Sequence, residues 1–139
     1  MLKYLKTLNS SNHPTEIFSF ISPAGEDATS GVKAGTVISL TFGEVSPVYT
    51  PQTPLYLAIT SKSYTKTDYV KCIKLTSGMV LEAEIEADVD LSNFHVGAIC
   101  DLVEDMHSKG AFLTRDGYEN FEIIDNSNVE NGTVTVVVL

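Results

Sequence analysis

Short apolar stretches with a two-residue period recur along this chain, each closed off by Gly, Pro, Asn, Asp or Ser. In Met79-Val80-Leu81-Glu82-Ala83-Glu84-Ile85-Glu86 the glutamates share one face of an extended strand, and Leu81, Ala83 and Ile85 share the other. Such a strand has one wet face. Further strands are expected over residues 37–42, 55–60, 69–75, 98–103, 111–114, 121–125 and 133–139, which are short and rich in β-branched and aromatic residues. Residues 16–22 alternate Ile17, Phe18, Phe20 and Ile21 with polar neighbours, as a first strand would. The closing Thr133-Val134-Thr135-Val136-Val137-Val138-Leu139 begins with alternation and ends apolar throughout. That suits a central core strand covered on both faces, or one whose end lies in a subunit contact, the core strand being the plainer reading.

The punctuation agrees with an all-β chain. Phe42-Gly43-Glu44-Val45, Arg115-Asp116-Gly117-Tyr118 and Glu130-Asn131-Gly132-Thr133 place Gly where tight turns need positive φ, so several consecutive strands are expected to join as hairpins. Helical signals are sparse. Residues 102–109 have the make-up of one or two helical turns, ended by Gly110 before an apolar stripe is complete. Residues 1–15 differ in character, mixing Lys3, Lys6, Ser10, Ser11, Asn12 and Pro14 with Leu2, Tyr4, Leu5 and Leu8. Leu2, Leu5 and Leu8 recur every third position, which fits a short amphipathic turn or an extended arm. The division expected is an N-terminal arm over residues 1–15, mobile when free, and a β domain over residues 16–139, a small single-domain β-barrel or β-sandwich. Leu2, Tyr4, Leu5 and Leu8 are the candidate partner-binding residues of the arm.

At 139 residues the chain suffices for one domain with a substantial core. Nine Lys plus Arg against eighteen Asp plus Glu give a formal charge of −9, which argues against nucleic acid and anionic membranes as partners. Arg115 is the only arginine, so the forked donors of phosphate recognition are missing. No apolar run reaches the ~20 residues of a spanning helix, and the N-terminus lacks the apolar core of a signal peptide, so a soluble protein made in the cytoplasm is expected. Cys72 and Cys100 lie in apolar alternating segments, the setting of reduced, buried, inert thiols.

Chemistry-bearing constellations are scarce. His13, His95 and His107 are far apart, and no Gly-x-Ser-x-Gly or His-Glu-x-x-His frames any of them. Cys72, His95, Cys100 and His107 lack the close ligand pairs of a zinc site. Asp88-Val89-Asp90-Leu91-Ser92-Asn93 has a faint likeness to a calcium loop, but Asn93 stands where Gly is required and Ile99 where a bidentate Glu is. A solvated turn explains it better. The carboxylates Glu82, Glu84, Glu86, Asp88 and Asp90 suit a wet strand face, or a surface for a cation or a basic partner. The segments around Gly25 and Gly35 lack the Lys of a phosphate loop, and no Trp is available as a stacking platform. The expectations are no catalytic residues, no metal, no cofactor and no enzymatic activity.

The order of segments carries a resemblance. Phe20-Ile21-Ser22-Pro23-Ala24-Gly25, Thr29-Ser30-Gly31-Val32, Gly35-Thr36-Val37-Ile38-Ser39-Leu40 and Gly43-Glu44-Val45-Ser46-Pro47-Val48 come in turn. Pro54-Leu55-Tyr56-Leu57-Ala58-Ile59-Thr60 and Ser77-Gly78-Met79-Val80-Leu81-Glu82-Ala83 follow, then Val96-Gly97-Ala98-Ile99-Cys100-Asp101-Leu102, Gly110-Ala111-Phe112-Leu113, Phe121-Glu122-Ile123-Ile124-Asp125 and Val134-Thr135-Val136-Val137-Val138. Over residues 17–139 this resembles the small capsid decoration, or cement, proteins of tailed bacteriophages. The longer polar N-terminal segment and Asp105-Met106-His107-Ser108-Lys109 depart from that pattern. The resemblance implies a non-enzymatic structural protein on the capsid exterior of a virion, with the major capsid protein as partner and a homo-oligomer, a trimer, as an open arrangement. The competing reading from another class is a small-ligand or carbohydrate-binding β-barrel, which requires a lined pocket.

Overall fold

The computed structural model describes residues 2–21, 34–41, 44–47, 55–59, 69–86, 88–105, 110–114 and 120–139. Within them the chain is built from β1 (Leu2–Thr7), β2 (Glu16–Ile21), β3 (Val37–Thr41), β4 (Glu44–Pro47), β5 (Tyr56–Ala58), β6 (Tyr69–Lys74), β7 (Met79–Glu84), β8 (Ile99–Asp105), β9 (Gly110–Thr114), β10 (Phe121–Asp125) and β11 (Thr133–Val138). Two 3₁₀ turns, Leu91–Asn93 and Val129–Asn131, are the only helical segments among the described residues. The all-β expectation holds.

The strands form two units that share a core. One is a six-stranded antiparallel sheet in the order β1-β7-β11-β10-β8-β9. In the other, β2-β4-β3-β5-β6 pair in a closed ring, with β2 and β4 parallel and the remaining pairs antiparallel. We call this ring the barrel. The sheet curls back on itself: Ile85, just past β7, bridges Leu113 of β9, and the Glu86 N–H donates to the Leu113 carbonyl at 3.3 Å. Four consecutive pairs, β3–β4, β5–β6, β8–β9 and β10–β11, are antiparallel neighbours; the Gly43 and Gly132 signals fall between two of them, β3–β4 and β10–β11, whereas β9 and β10, on either side of the 115–118 signal, are not neighbours in the sheet.

Register explains which side chains meet. Ala83 pairs with Leu2 and Val134, and Leu81 pairs with Tyr4 and Val136, so the apolar positions of three strands stack on one face. Phe121 pairs with both Val138 and Cys100 and continues the row. This face packs with Val37, Leu57 and Ile73 of the barrel into one cluster of buried side chains. Val136, Val137 and Val138 are all buried, which makes β11 the central core strand its composition suggests. Gly132 ends the second 3₁₀ turn at φ +84°, and its N–H closes on the Val129 carbonyl at 3.0 Å. Here the expected positive φ is met, although a 3₁₀ turn rather than a two-residue loop joins β10 to β11.

Two expectations are corrected. Leu102 and Val103 do not begin a helical turn: they belong to β8 and pair with Leu113 and Phe112 of β9. Cross-strand pairing over Asp101–Asp105 outweighs a weak local helical preference; residues 106–109, and 115–118 where a turn is expected, lie outside the described residues. The segment 1–15 is also not an arm set apart from the β domain. Leu2–Thr7 is an edge strand of the sheet, paired to β7 from Leu2↔Ala83 to Thr7↔Met79. The Leu2 N–H also donates to the Gly35 carbonyl at 2.9 Å, which ties the strand to the barrel side.

Candidate partner-binding site

Strand β1 alternates as an edge strand should. Leu2 and Tyr4 turn inward, Leu2 to 4% exposure, whereas Lys3 and Lys6 face solvent. A register shift between Tyr4 and Lys6 places Leu5 in a bulge, where it is 44% exposed. Leu8 follows the strand at 45% exposure, its N–H bonded to the Gly78 carbonyl at 2.9 Å. The chain then reverses through Asn9 at φ +58°, a left-handed conformation that Asn tolerates. His13 returns to Tyr4, with ring centroids 5.9 Å apart, and the Tyr4 hydroxyl shares a 2.9 Å hydrogen bond with Thr7 Oγ1. The candidate residues therefore divide: Leu2 is core, Tyr4 is half-buried against it, and Leu5 and Leu8 remain at the surface.

Beside β1 lies a cavity of about 550 Å³ between the sheet edge, the returning segment and the barrel. Its apolar floor comes from Leu57, Ala58 and Ile73 of the barrel together with Leu2. Lys3, Glu82 and Glu84 border it from the sheet, His13 and Pro14 from the returning segment, and Glu16 from the start of β2. Glu82 stands opposite Lys3 across β1–β7, while Glu16 pairs with Lys71 at 3.2 Å. Sequence reading missed this cavity because its described walls come from six separate segments. The legible signal was the alternation of Glu82 and Glu84 with buried neighbours.

The remaining candidates fall into place as structural parts. Asp90 accepts from the Ser92 hydroxyl at 2.7 Å and the Ser92 N–H at 3.0 Å, capping the turn Leu91–Asn93. These two bonds hold the Asp90 carboxyl below its ordinary range. Asp125 is lowered likewise by the Ser127 N–H at 2.8 Å and by the Ser127 hydroxyl. The region with a likeness to a calcium loop is thus a capped turn.

Cys72 and Cys100 are buried free thiols, one in the barrel and one in the sheet, and burial pushes the Cys72 thiol up. His13 and His95 are exposed, the latter with Nδ1 3.1 Å from the Val96 carbonyl. Among the described residues no three His, Cys, Asp or Glu side chains gather as metal ligands, and no helix is long and apolar enough to cross a membrane. His107 lies outside the described residues. One polar contact was unforeseen: Asp101 is fully buried and accepts from Nδ2 of the half-buried Asn120 at 3.0 Å.

Comparison with protein-family models, with curated proteins and with solved structures finds no match to this chain.

Proposed function

We propose that this protein is a non-enzymatic binding module that attaches to the outer surface of a tailed-phage capsid as a decoration protein, with the major capsid protein as its partner. The observation that carries this reading is the edge strand β1, which ends the six-stranded sheet and, with Leu8 just past its end, presents Leu5 and Leu8 to solvent beside Lys3 and Lys6. An edge strand with exposed leucines is a template for contact with another chain, through backbone pairing and apolar burial together. The order of turn-and-strand segments over residues 17–139, similar to that of capsid decoration proteins, supports the choice of partner. The net charge of −9 supports a protein rather than a polyanionic target.

The test is co-sedimentation with expanded empty capsids, using the full chain and a Leu5→Asp, Leu8→Asp variant. Saturable binding by the parent, weakened in the variant, is expected. A parent that stays in the supernatant at every concentration overturns the proposal. Selective signal on a glycan array would put carbohydrate binding in its place.

A further inference from the structure

We propose that Asn131 is a site of spontaneous covalent modification, its side-chain amide closing on the Gly132 backbone nitrogen to give isoaspartate, and that this change loosens the bridge by which the end of β7 meets β9. Asn131-Gly132 is the only Asn-Gly step in the sequence. The Asn131 side chain is exposed, and a Cβ added at Gly132 would meet nothing within 4 Å, so the space around the step is open. Glycine favours the reaction because no Cβ hinders the approach of its nitrogen.

The chemistry balances with water as the sole co-reactant. The Gly132 nitrogen gives up its proton to hydroxide and bonds to Cγ of Asn131. The Cγ–Nδ2 bond breaks, and Nδ2 takes a proton from water and leaves as ammonia. Water then opens the cyclic imide at one of its two carbonyls. One opening gives aspartate with an ordinary backbone, and the other gives isoaspartate, whose main chain runs through Cβ and Cγ. Nothing is oxidised or reduced.

The native turn restrains this attack without abolishing it. The Gly132 N–H donates to the Val129 carbonyl at 3.0 Å and the Asn131 N–H to the Asn128 carbonyl at 2.9 Å, so the nucleophilic nitrogen is engaged while the turn Val129–Asn131 is closed. The reaction proceeds from openings of that short, exposed turn. Asn126 is a poorer site, being half-buried, followed by Ser, and held through its Nδ2 on the Phe94 carbonyl at 3.3 Å.

The consequence runs through the neighbouring carbonyl. The Gly132 C=O accepts from the Ile85 N–H at 3.0 Å, and Ile85 is the residue that bridges Leu113 of β9. Isoaspartate inserts one carbon into the main chain immediately before Gly132 and draws that carbonyl off the Ile85 N–H. Aspartate adds the same negative charge to a chain already at −9 but leaves the main-chain length unchanged.

The inference is independent of the capsid reading and is tested on the full chain alone. The protein is aged in mildly alkaline buffer, in parallel with a sample in urea, and mapped by mass spectrometry with fragmentation that places the change on one residue. Isoaspartate is expected at Asn131 ahead of every other described asparagine, accumulating roughly tenfold more slowly in the native sample than in urea. Hydrogen exchange then compares the aged protein with an Asn131→Asp variant. The Ile85 amide should lose protection in the isoaspartate form and keep it in the variant. A native sample free of isoaspartate at Asn131 long after the urea sample is fully converted would overturn the site, and equal rates in the two samples would overturn the restraint by the turn. Full protection of Ile85 in the isoaspartate form, or equal loss in Asn131→Asp, would overturn the coupling to β9.

Discussion

Replacing Leu2 by Ala tests whether the N-terminal strand belongs to the core. Leu2 is 4% exposed, packs in the same cluster as Ala83 and Val134, and lies one residue from the start of the chain. Removing a buried leucine side chain forfeits its transfer energy and leaves a partly collapsed cavity, together about 2–4 kcal/mol at a site near the end of a sheet. For a domain of this size each kcal/mol shifts the melting temperature by roughly 3–4 °C, so a fall of about 6–16 °C is expected. Leu5→Ala is the internal control. Leu5 is 44% exposed in the bulge, and its truncation should move the melting temperature by less than about 2 °C. Differential scanning calorimetry on the two variants reads both numbers. If Leu2→Ala melts within about 2 °C of the parent, β1 does not contribute to the core and residues 1–15 are an arm after all.

Three other outcomes follow from the buried and capped groups. Asn120→Ala removes a donor from the fully buried Asp101 carboxylate and should cost about 1–3 kcal/mol in urea denaturation, whereas an unchanged midpoint would show that Asp101 does not depend on that bond. Cys72 and Cys100 should resist a thiol reagent in the native protein and react in urea, because both are buried and the Cys72 thiol is pushed up; rapid native labelling would contradict their placement. Because Asp90 and Asp125 titrate below the ordinary carboxylate value, the stabilisation from their serine bonds is fully present above about pH 4 and is lost as pH falls through the lowered values. Carboxyl NMR titration should find Asp90 shifted upward in Ser92→Ala, and an identical titration in parent and variant would refute the capping role.

Much of the sheet was legible because one strand face is wet. Glu82 and Glu84 alternate with Leu81 and Ala83, and that period alone identifies β7 and its inward side. The Thr-Val run of β11 and the Phe-Ile pair of β10 were equally plain. Strand β1 was not, because Leu2, Leu5 and Leu8 repeat every three residues and mask the shorter period of Leu2 and Tyr4. The bulge at Leu5 creates that false helical spacing, and no local rule foretells a bulge. Strand β4 escaped for another reason: Glu44–Pro47 is four residues long, and it is held by pairing with β3 and β2 rather than by its own propensity. The four candidate leucine and tyrosine positions stand out in the sequence as apolar residues in a polar stretch, yet the chain reversal at Asn9 and the pairing with β7 decide which of them are buried. The cavity depends on the approach of β1 to β5 and β6, a long-range closure that leaves no pattern in any one segment.

The proposed attachment of this protein to a capsid shell is tested most directly by cryo-electron microscopy of expanded empty capsids incubated with the full chain. The expected map holds ordered β-rich density on the outer face of the shell, with β1 and the cavity beside it turned toward the major capsid protein. A shell indistinguishable from untreated capsids at saturating protein would contradict the decoration reading, and density attached through the opposite edge, β9, would contradict the role given to β1.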